Sequence, residues 1–514
     1  MSARLPTFWI KLGLAMALVA AGDVLLFEAE GLGANLGLFG LATVLAVALA
    51  LPAIRLSKLA SLALGLASSL AVLQIERATV VGWLGFLLAM GVAVLAPRAG
   101  RGDDGWRWLQ RLVVAGLKSI VGPIQDLAEV LKARARKGPV RIAIALVGAV
   151  LPVVGGAVFL SLFAAANPVI GQAFSVLSLP ELDVGRIAFW LVLSVPVWAL
   201  LRPRGVRRTL ATPAFDRALD LPGVTTASIA VSLAVFNVVF LLQNGLDLVF
   251  LWSGAGLPKG VTFADYAHRG AYPLIATALL AGLFVLVFLQ PGSPTSRDRS
   301  VRNLVVIWVA QNLFLVASTA LRTLDYIEAY SLTRTRIAAL LWMGLVAVGL
   351  VLICWRMLRG KSSSWLINTN LLAAGLVLGG CCVVDLGAVA AAWNVRHARD
   401  AGGQGVALDL CYMRSLKGAA LVSLAKLEMS AVPPDFQDRV RYTRRVIQAE
   451  VADKQAHWRT WRWRDARRLQ WTWLTTYETP RWPDRRGRDC SGLYTPPAVA
   501  KPAPPLTPTP NPGT

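Results

Sequence analysis

The side chains best equipped for chemistry are polar groups set within apolar sequence. Asn237, Gln243, Asn244 and Asp247 fall in, or just past, one apolar run. At 100° per residue they occupy an arc of about 120°, so one helix face carries three amides and a carboxylate. Such groups are costly to leave unpaired at membrane depth, so the face turns away from lipid. It can hold an ion or substrate, or simply bond neighbouring helices, and both readings stay open. Gly245 can loosen the end of that helix, a feature that accompanies ion and substrate sites in transporters. A second set joins Gln311 and Asn312, inside a later apolar run, to Arg322, Asp325, Glu328, Arg334 and Arg336 beyond it. A continuous helix would place Gln311, Arg322 and Asp325 on one face and make Arg322 with Asp325 an i,i+3 ion pair; a solvated loop would be equally charged. Asp23 and Asp385 are single acids in apolar surroundings, each a candidate proton relay or a hydrogen-bonded structural acid.

Other chemistries are not encoded. There is no H-E-x-x-H, G-x-S-x-G or paired C-x-x-C, and His268, His397 and His457 are far apart in sequence, so no metal, cofactor or catalytic residue is expected. A non-enzymatic protein is the preferred reading. Gly360-Lys361-Ser362 ends like a phosphate loop, but Trp355 stands where the first glycine is required, and an apolar helix rather than a strand precedes it. Gly375 and Gly379 form a G-x-x-x-G that allows close helix approach, within the bundle or between copies. Cys354, Cys381 and Cys382 lie in apolar runs as small hydrophobes, whereas Cys411 and Cys490 lie in polar sequence and can pair in an oxidising compartment.

Lipid must position these groups. The 514 residues are 56% hydrophobic and only 16% charged, against about 25% charged in soluble domains, and the mean hydropathy is +0.57. The net charge of +23 is dispersed among short segments between apolar runs, a pattern of membrane topology rather than of nucleic-acid binding. About 20 apolar residues cross a bilayer as a helix. Eleven runs qualify, near 9 to 28, 33 to 53, 58 to 75, 78 to 97, 141 to 164, 186 to 202, 223 to 246, 270 to 290, 302 to 321, 336 to 356 and 369 to 392. The third and sixth are short, and the sixth contains Pro196. The first has a basic flank, Arg4 and Lys11, but is interrupted by Asp23 and lacks a clear cleavage site, so it reads as a retained helix.

Loop charge gives an orientation. Arg55 with Lys58, the segment 98 to 141, Arg202 with Arg204, Arg207 and Arg208, Arg297 with Arg299, and Arg356 with Arg359 and Lys361 fall on one side. Short cytoplasmic loops accumulate such charge, which predicts a cytoplasmic N-terminus and an extracytoplasmic C-terminus. The expected fold is an all-α, polytopic transmembrane bundle of about 11 spans with a short helical extracytoplasmic tail. Its parts are a four-helix membrane block over 1–97, a cytoplasmic amphipathic linker over 98–140, a seven-helix membrane block over 141–395, a helical tail over 396–478 and a Pro-rich disordered end over 479–514. In the linker, Trp106, Leu109, Val113, Leu117 and Ile120 recur at helical spacing, the pattern of an interfacial helix.

In the tail, Trp458, Trp461, Trp463, Trp471 and Trp473 are interleaved with Arg459, Arg462, Arg464, Arg467 and Arg468. Outside a membrane, this alternation fits the bilayer interface or an anionic envelope polymer better than nucleic acid; packing of Trp on the preceding helix is the plain alternative. The expected partners are the lipid bilayer itself, with anionic lipid or an envelope polymer as candidates.

The stretch FNVVFLLQNGLDLVFLWSGAGLPKGVTFADYAHRGAYPLIATALL from Phe236, then ALRTLDYIEAYSLTRTRIAALLWM from Ala320, resembles bacterial polytopic proteins grouped as domains of unknown function 4153 and 4173. WNVRHARDAGGQGVALDLCYMRSL after the last span is similar to the tail of the same group. The resemblance covers about residues 140 to 430. It implies a bacterial inner-membrane protein and supplies no catalytic residue. Envelope-associated sensing or support is the leading expectation, and a transporter or flippase using the polar face of the seventh span is the alternative.

Overall fold

The structure is a computed structural model that describes residues 4–100, 102–135, 156, 183–204, 209–210, 225–252, 277, 280, 282–284, 298–484 and 487–494. Among these residues the chain is helical without strands, one isolated antiparallel bridge between Arg488 and Tyr494 apart. It divides into two compact units. The first comprises Met1–Ile327, Thr335–Leu386 and Lys454–Ala466; the second comprises Glu328–Arg334, Gly387–Asp453 and Arg467–Thr514.

The helices of the membrane part are α1 (Arg4–Gly22, continued by a π-helical turn Asp23–Phe27), α2 (Ala34–Ala50), α3 (Lys58–Glu76), α4 (Val80–Leu95), α5 (Gly105–Ala135), α6 (Val184–Leu201), α7 (Thr226–Asp247), α8 (Arg299–Tyr330), α9 (Arg334–Arg359) and α10 (Ser363–Val383). Eight helical segments among the described residues are long and apolar enough to cross a membrane. Ala34–Ala50 is apolar but shorter. The expected eleven spans are not reached among the described residues, and the predicted runs 141 to 164 and 270 to 290 lie almost entirely outside them. The eleventh run also divides, with α10 ending at Val383 and α11 (Leu386–His397) beginning after a two-residue break. Arg77 supplies the reason. Its Nη2 donates to the carbonyls of Cys381, Cys382 and Val384 at 2.7, 3.2 and 3.1 Å, satisfying the helix end that would otherwise have to continue.

Packing in α2, α3 and α4 uses lipid as solvent. Ala60, Ala63, Ala67 and Ala71 form a buried stripe on α3, while Leu59, Leu62 and Leu66 are exposed. At Gly37 an added Cβ would lie 2.7 Å from the Ala71 carbonyl, so glycine is what lets α2 and α3 touch. Small residues inside and leucines outside are expected where hydrocarbon replaces water. Helix α5 follows the interfacial pattern, with Leu109, Val113, Leu117 and Ile120 exposed while buried Arg111 pairs with Asp103 at 2.8 Å; these apolar side chains suit the boundary between headgroups and acyl chains.

The second unit follows the opposite rule. Its helices include α12 (Leu410–Ser415), α13 (Leu421–Glu428) and most of α14 (Pro434–Ala456) and α15 (Trp463–Thr476). Leu410, Met413, Leu421, Leu424, Val440 and Ile447 form a fully buried core. A disulfide joins Cys411 to Cys490. The segment expected to be disordered contains a defined turn over 487–494. Asp489 accepts the backbone N–H of Ser491 and Leu493 at 2.8 and 3.0 Å, and Arg488 pairs with Asp438 of α14 at 2.7 Å. Composition concealed this turn because its stability comes from the disulfide and α14, both remote in sequence.

Candidate polar site between α7 and α8

Helix α7 begins with a capping box, in which the Thr225 side chain accepts from Ser228 N–H and the Ser228 side chain accepts from Thr225 N–H. About three turns further along, Trp308 of α8 packs against Phe236, Phe240 and Phe284 with ring centroids 5.3, 5.8 and 5.6 Å away. Polar contacts begin beside this aromatic cluster. Asn237 Nδ2 donates to the carbonyls of Leu233 at 2.8 Å and Leu304 at 3.1 Å. Gln311 Nε2 donates to Asn237 Oδ1 at 2.8 Å, and Asn244 Nδ2 donates to the Gln311 carbonyl at 3.2 Å. Further along, Trp252 Nε1 donates to Ser318 Oγ at 3.1 Å.

Asp247 and Arg322 form the charged end. Both are buried, at 1% and 6% exposure, and Arg322 Nη2 donates to Asp247 Oδ1. Gln243 Nε2 donates to the same oxygen at 3.1 Å. All four residues of the polar face expected on the seventh span bond α8 or one another. Arg322, placed by spacing beside Asp325, reaches the acid on α7. No local pattern names that partner.

Not every acceptor is used. Asn244 Oδ1, Asp247 Oδ2, Gln311 Oε1 and Asn312 Oδ1 are buried and accept no hydrogen bond from any described residue. Asn312, fully buried, donates among the described residues to the Trp308 carbonyl at 2.8 Å. Buried polar atoms are ordinarily paired, so four unused acceptors on two adjoining helices call for a donor. Water, an ammonium group or a cation bound through oxygen would each answer that need.

The remaining sequence-predicted residues fall elsewhere. Asp23 lies in the π-helical turn and accepts from Arg186 Nε and Trp190 Nε1, both at 2.8 Å, with a second bond from Arg186 Nη2. Asp385 occupies the break after α10, 3.3 Å from Arg77 Nη1. Asp325 and Glu328 are on α8, which continues to Tyr330 in place of the loop alternative; Asp325 is half-buried and Glu328 exposed. The guanidinium of Arg336 lies 4.1 Å from the Tyr326 ring centroid.

In the tail, the arginines expected at an interface are engaged by protein. Arg459 pairs with Glu28 at 3.1 Å, Arg462 donates to the Leu32 carbonyl at 2.6 and 3.0 Å, and Arg464 pairs with Glu76 at 2.7 Å. The carbonyls of Trp461 and Arg459 accept from Ala34 and Asn35 N–H at 2.7 and 3.0 Å, satisfying the otherwise open start of α2. Gly33 makes this docking possible: an added Cβ would lie 2.4 Å from the Thr460 backbone. Trp458 and Trp463 remain exposed, while Trp461 is half-buried. Sequence reasoning missed Arg77, Arg186 and Asn394; the last donates to the Leu332 carbonyl and accepts its N–H at 3.0 and 2.7 Å. Only an unpaired acid or amide nearby in sequence would have marked them, and their partners are 60 to 300 residues away, as the Asn394 separation of 62 and the Arg77 separation of 304 show.

No curated protein and no solved structure matches the chain. A family model does match, over residues 59–427, reaching further toward the N-terminus than the stretch around 140 to 430 that carries the quoted motifs. With eight described helices long and apolar enough to cross a membrane, the chain is a multi-pass membrane protein, and with most of its sequence covered by that match it belongs to the family described as Domain of unknown function (DUF4153).

Proposed function

We propose that this protein sits in a bacterial inner membrane with its N-terminus in the cytoplasm and its C-terminal tail outside, where it senses or supports the cell envelope. The observation that carries this reading is the Cys411–Cys490 disulfide. Structural disulfides persist in oxidising compartments and are rare in the cytosol. The basic loops named above support the same orientation. In the same unit, fully buried Arg444 binds Glu428 and Glu478, which gives the unit a fixed interior suited to presenting a surface. Glu478 is held at a pKa of about 2, first by its bond from Arg445 and then by Arg444.

A reporter fused at Thr514 tests the orientation: extracytoplasmic activity is expected, and cytoplasmic activity overturns it. A deletion strain tests the role. Altered envelope-stress transcription is expected, complemented by the full chain but not by one truncated after Ser430; full complementation by the truncated chain overturns the reading.

A second reading, transport of a small cation or donor-rich solute, is favoured by the four unused acceptors between α7 and α8. Asn244→Ala and Asp247→Asn test it. Normal accumulation with lost flux in proteoliposomes supports transport, and unchanged flux removes it.

A further inference from the structure

At one end of the first unit, the start of α1, the turn after α4, Asp126 of α5 and the residues after α6 line a partly open cavity of about 260 Å³. Phe8, Lys11, Arg98, Asp126, Arg202 and Arg204 line it, so cations outnumber carboxylates by three. The arginines are held in place. Asp126, buried, accepts from Trp198 Nε1 at 2.8 Å and pairs with Arg202 at 3.2 Å and Arg204 at 2.8 Å. Arg204 also donates to the Gly122 carbonyl at 2.7 Å, Arg98 donates to the Pro203 carbonyl, and the Arg202 guanidinium lies 5.5 Å from the Phe8 ring centroid.

Lys11 differs from them. It is half-buried beside these arginines, and no hydrogen bond or ion pair joins it to a described residue. Like charges gathered in a partly desolvated cavity repel one another unless an anion joins them. Arginine forks match phosphate oxygens in pairs, and a lysine adds a point charge. The site also lies at headgroup depth: α4 and α6 end there, and α5 beside it exposes an apolar face. Basic pockets between membrane helices suit anionic headgroups.

We infer that this cavity seats a phosphate group, carried either by an anionic lipid headgroup or by a free phosphate, with Lys11 as the contact that no described residue uses. The site is separate from the α7–α8 site and from the proposed envelope role.

The test uses the delipidated full-length protein in detergent, followed by thermal unfolding against inorganic phosphate, short-chain phosphatidylglycerol and short-chain phosphatidylcholine. Phosphatidylglycerol or phosphate should raise the melting temperature and phosphatidylcholine should not; stabilisation by inorganic phosphate identifies a free phosphate, and stabilisation by phosphatidylglycerol alone identifies a lipid. Lys11→Gln should weaken the anion about tenfold, the loss expected for one charge-assisted hydrogen bond, and Lys11→Arg should restore it. Arg55→Gln, which removes an exposed cation outside the cavity, should leave binding unchanged. Titrating each variant from its own ligand-free melting point keeps folding apart from binding. Equal stabilisation by phosphatidylcholine, or equal weakening by Arg55→Gln and Lys11→Gln, overturns the inference.

Discussion

Two acid–arginine pairs in the membrane helices are built from the same residue types and differ in completeness. At the α1–α6 pair, Asp23 receives bonds on both oxygens, from Arg186 and Trp190, and Arg186 keeps a second acid, Glu28, at 3.1 Å. The Arg186 side chain is 36% exposed at the start of α6, so the protein does not enclose it fully. At the α7–α8 pair, Asp247 and Arg322 are both buried, and Asp247 Oδ2 accepts nothing from the described residues. A charge pair that is saturated and partly exposed behaves as a strut. One that is buried and incomplete is expensive unless something else completes it, which is why intramembrane acids of this second kind are functional candidates.

Variants that break this contrast have graded effects. Asp247→Ala leaves Arg322 buried without its acid and should cost about 3–5 kcal/mol, read as lost accumulation and a lower melting temperature in detergent. Wild-type stability would show that the pair holds nothing together. Replacing both partners, Asp247→Leu with Arg322→Met, should recover that loss and can stabilise by about 1–4 kcal/mol, while abolishing flux under the transport reading. A double variant as unstable as the single one would mean that packing, not charge, decides the site.

Asp23→Ala should cost less, about 1–3 kcal/mol, because Arg186 retains Glu28 and is partly exposed. A loss equal to that of Asp247→Ala would erase the distinction. Gly33→Ala probes the other structural device of the first unit, the docking of 459–461 on α2. It should cost a similar or smaller amount, about 1–3 kcal/mol, and open the 454–466 segment to protease while leaving any α7–α8 flux unchanged.

The smallest effect is expected at Glu478, a saturated acid in the second unit whose pKa is depressed to about 2. A depressed carboxylate stabilises the fold above its ordinary pKa near 4.5, and that contribution is lost as pH falls from there toward 2. The melting temperature of wild-type protein should drop through this window. In Glu478→Gln that part of the slope should vanish.

Much of this was legible locally. The arc from Asn237 to Asp247 follows from helical geometry, and the exposed apolar face of α5 from its spacing. The end of α10 was not legible, since Arg77 caps it from more than 300 residues away. Nor was the role of the Trp/Arg tail: spacing found Arg459, Arg462 and Arg464 but could not say that Glu28, Leu32 and Glu76 receive them.

The amino-acid sequence by itself determined that the chain is helical, lives in lipid and turns one polar face of α7 inward, because helix formation in hydrocarbon is forced by backbone groups that find partners only within their own segment. Tertiary structure alone decided which acid is saturated and which is left short. That outcome depends on which side chain of a distant helix arrives within hydrogen-bond reach, and packing, rather than local periodicity, sets that arrival.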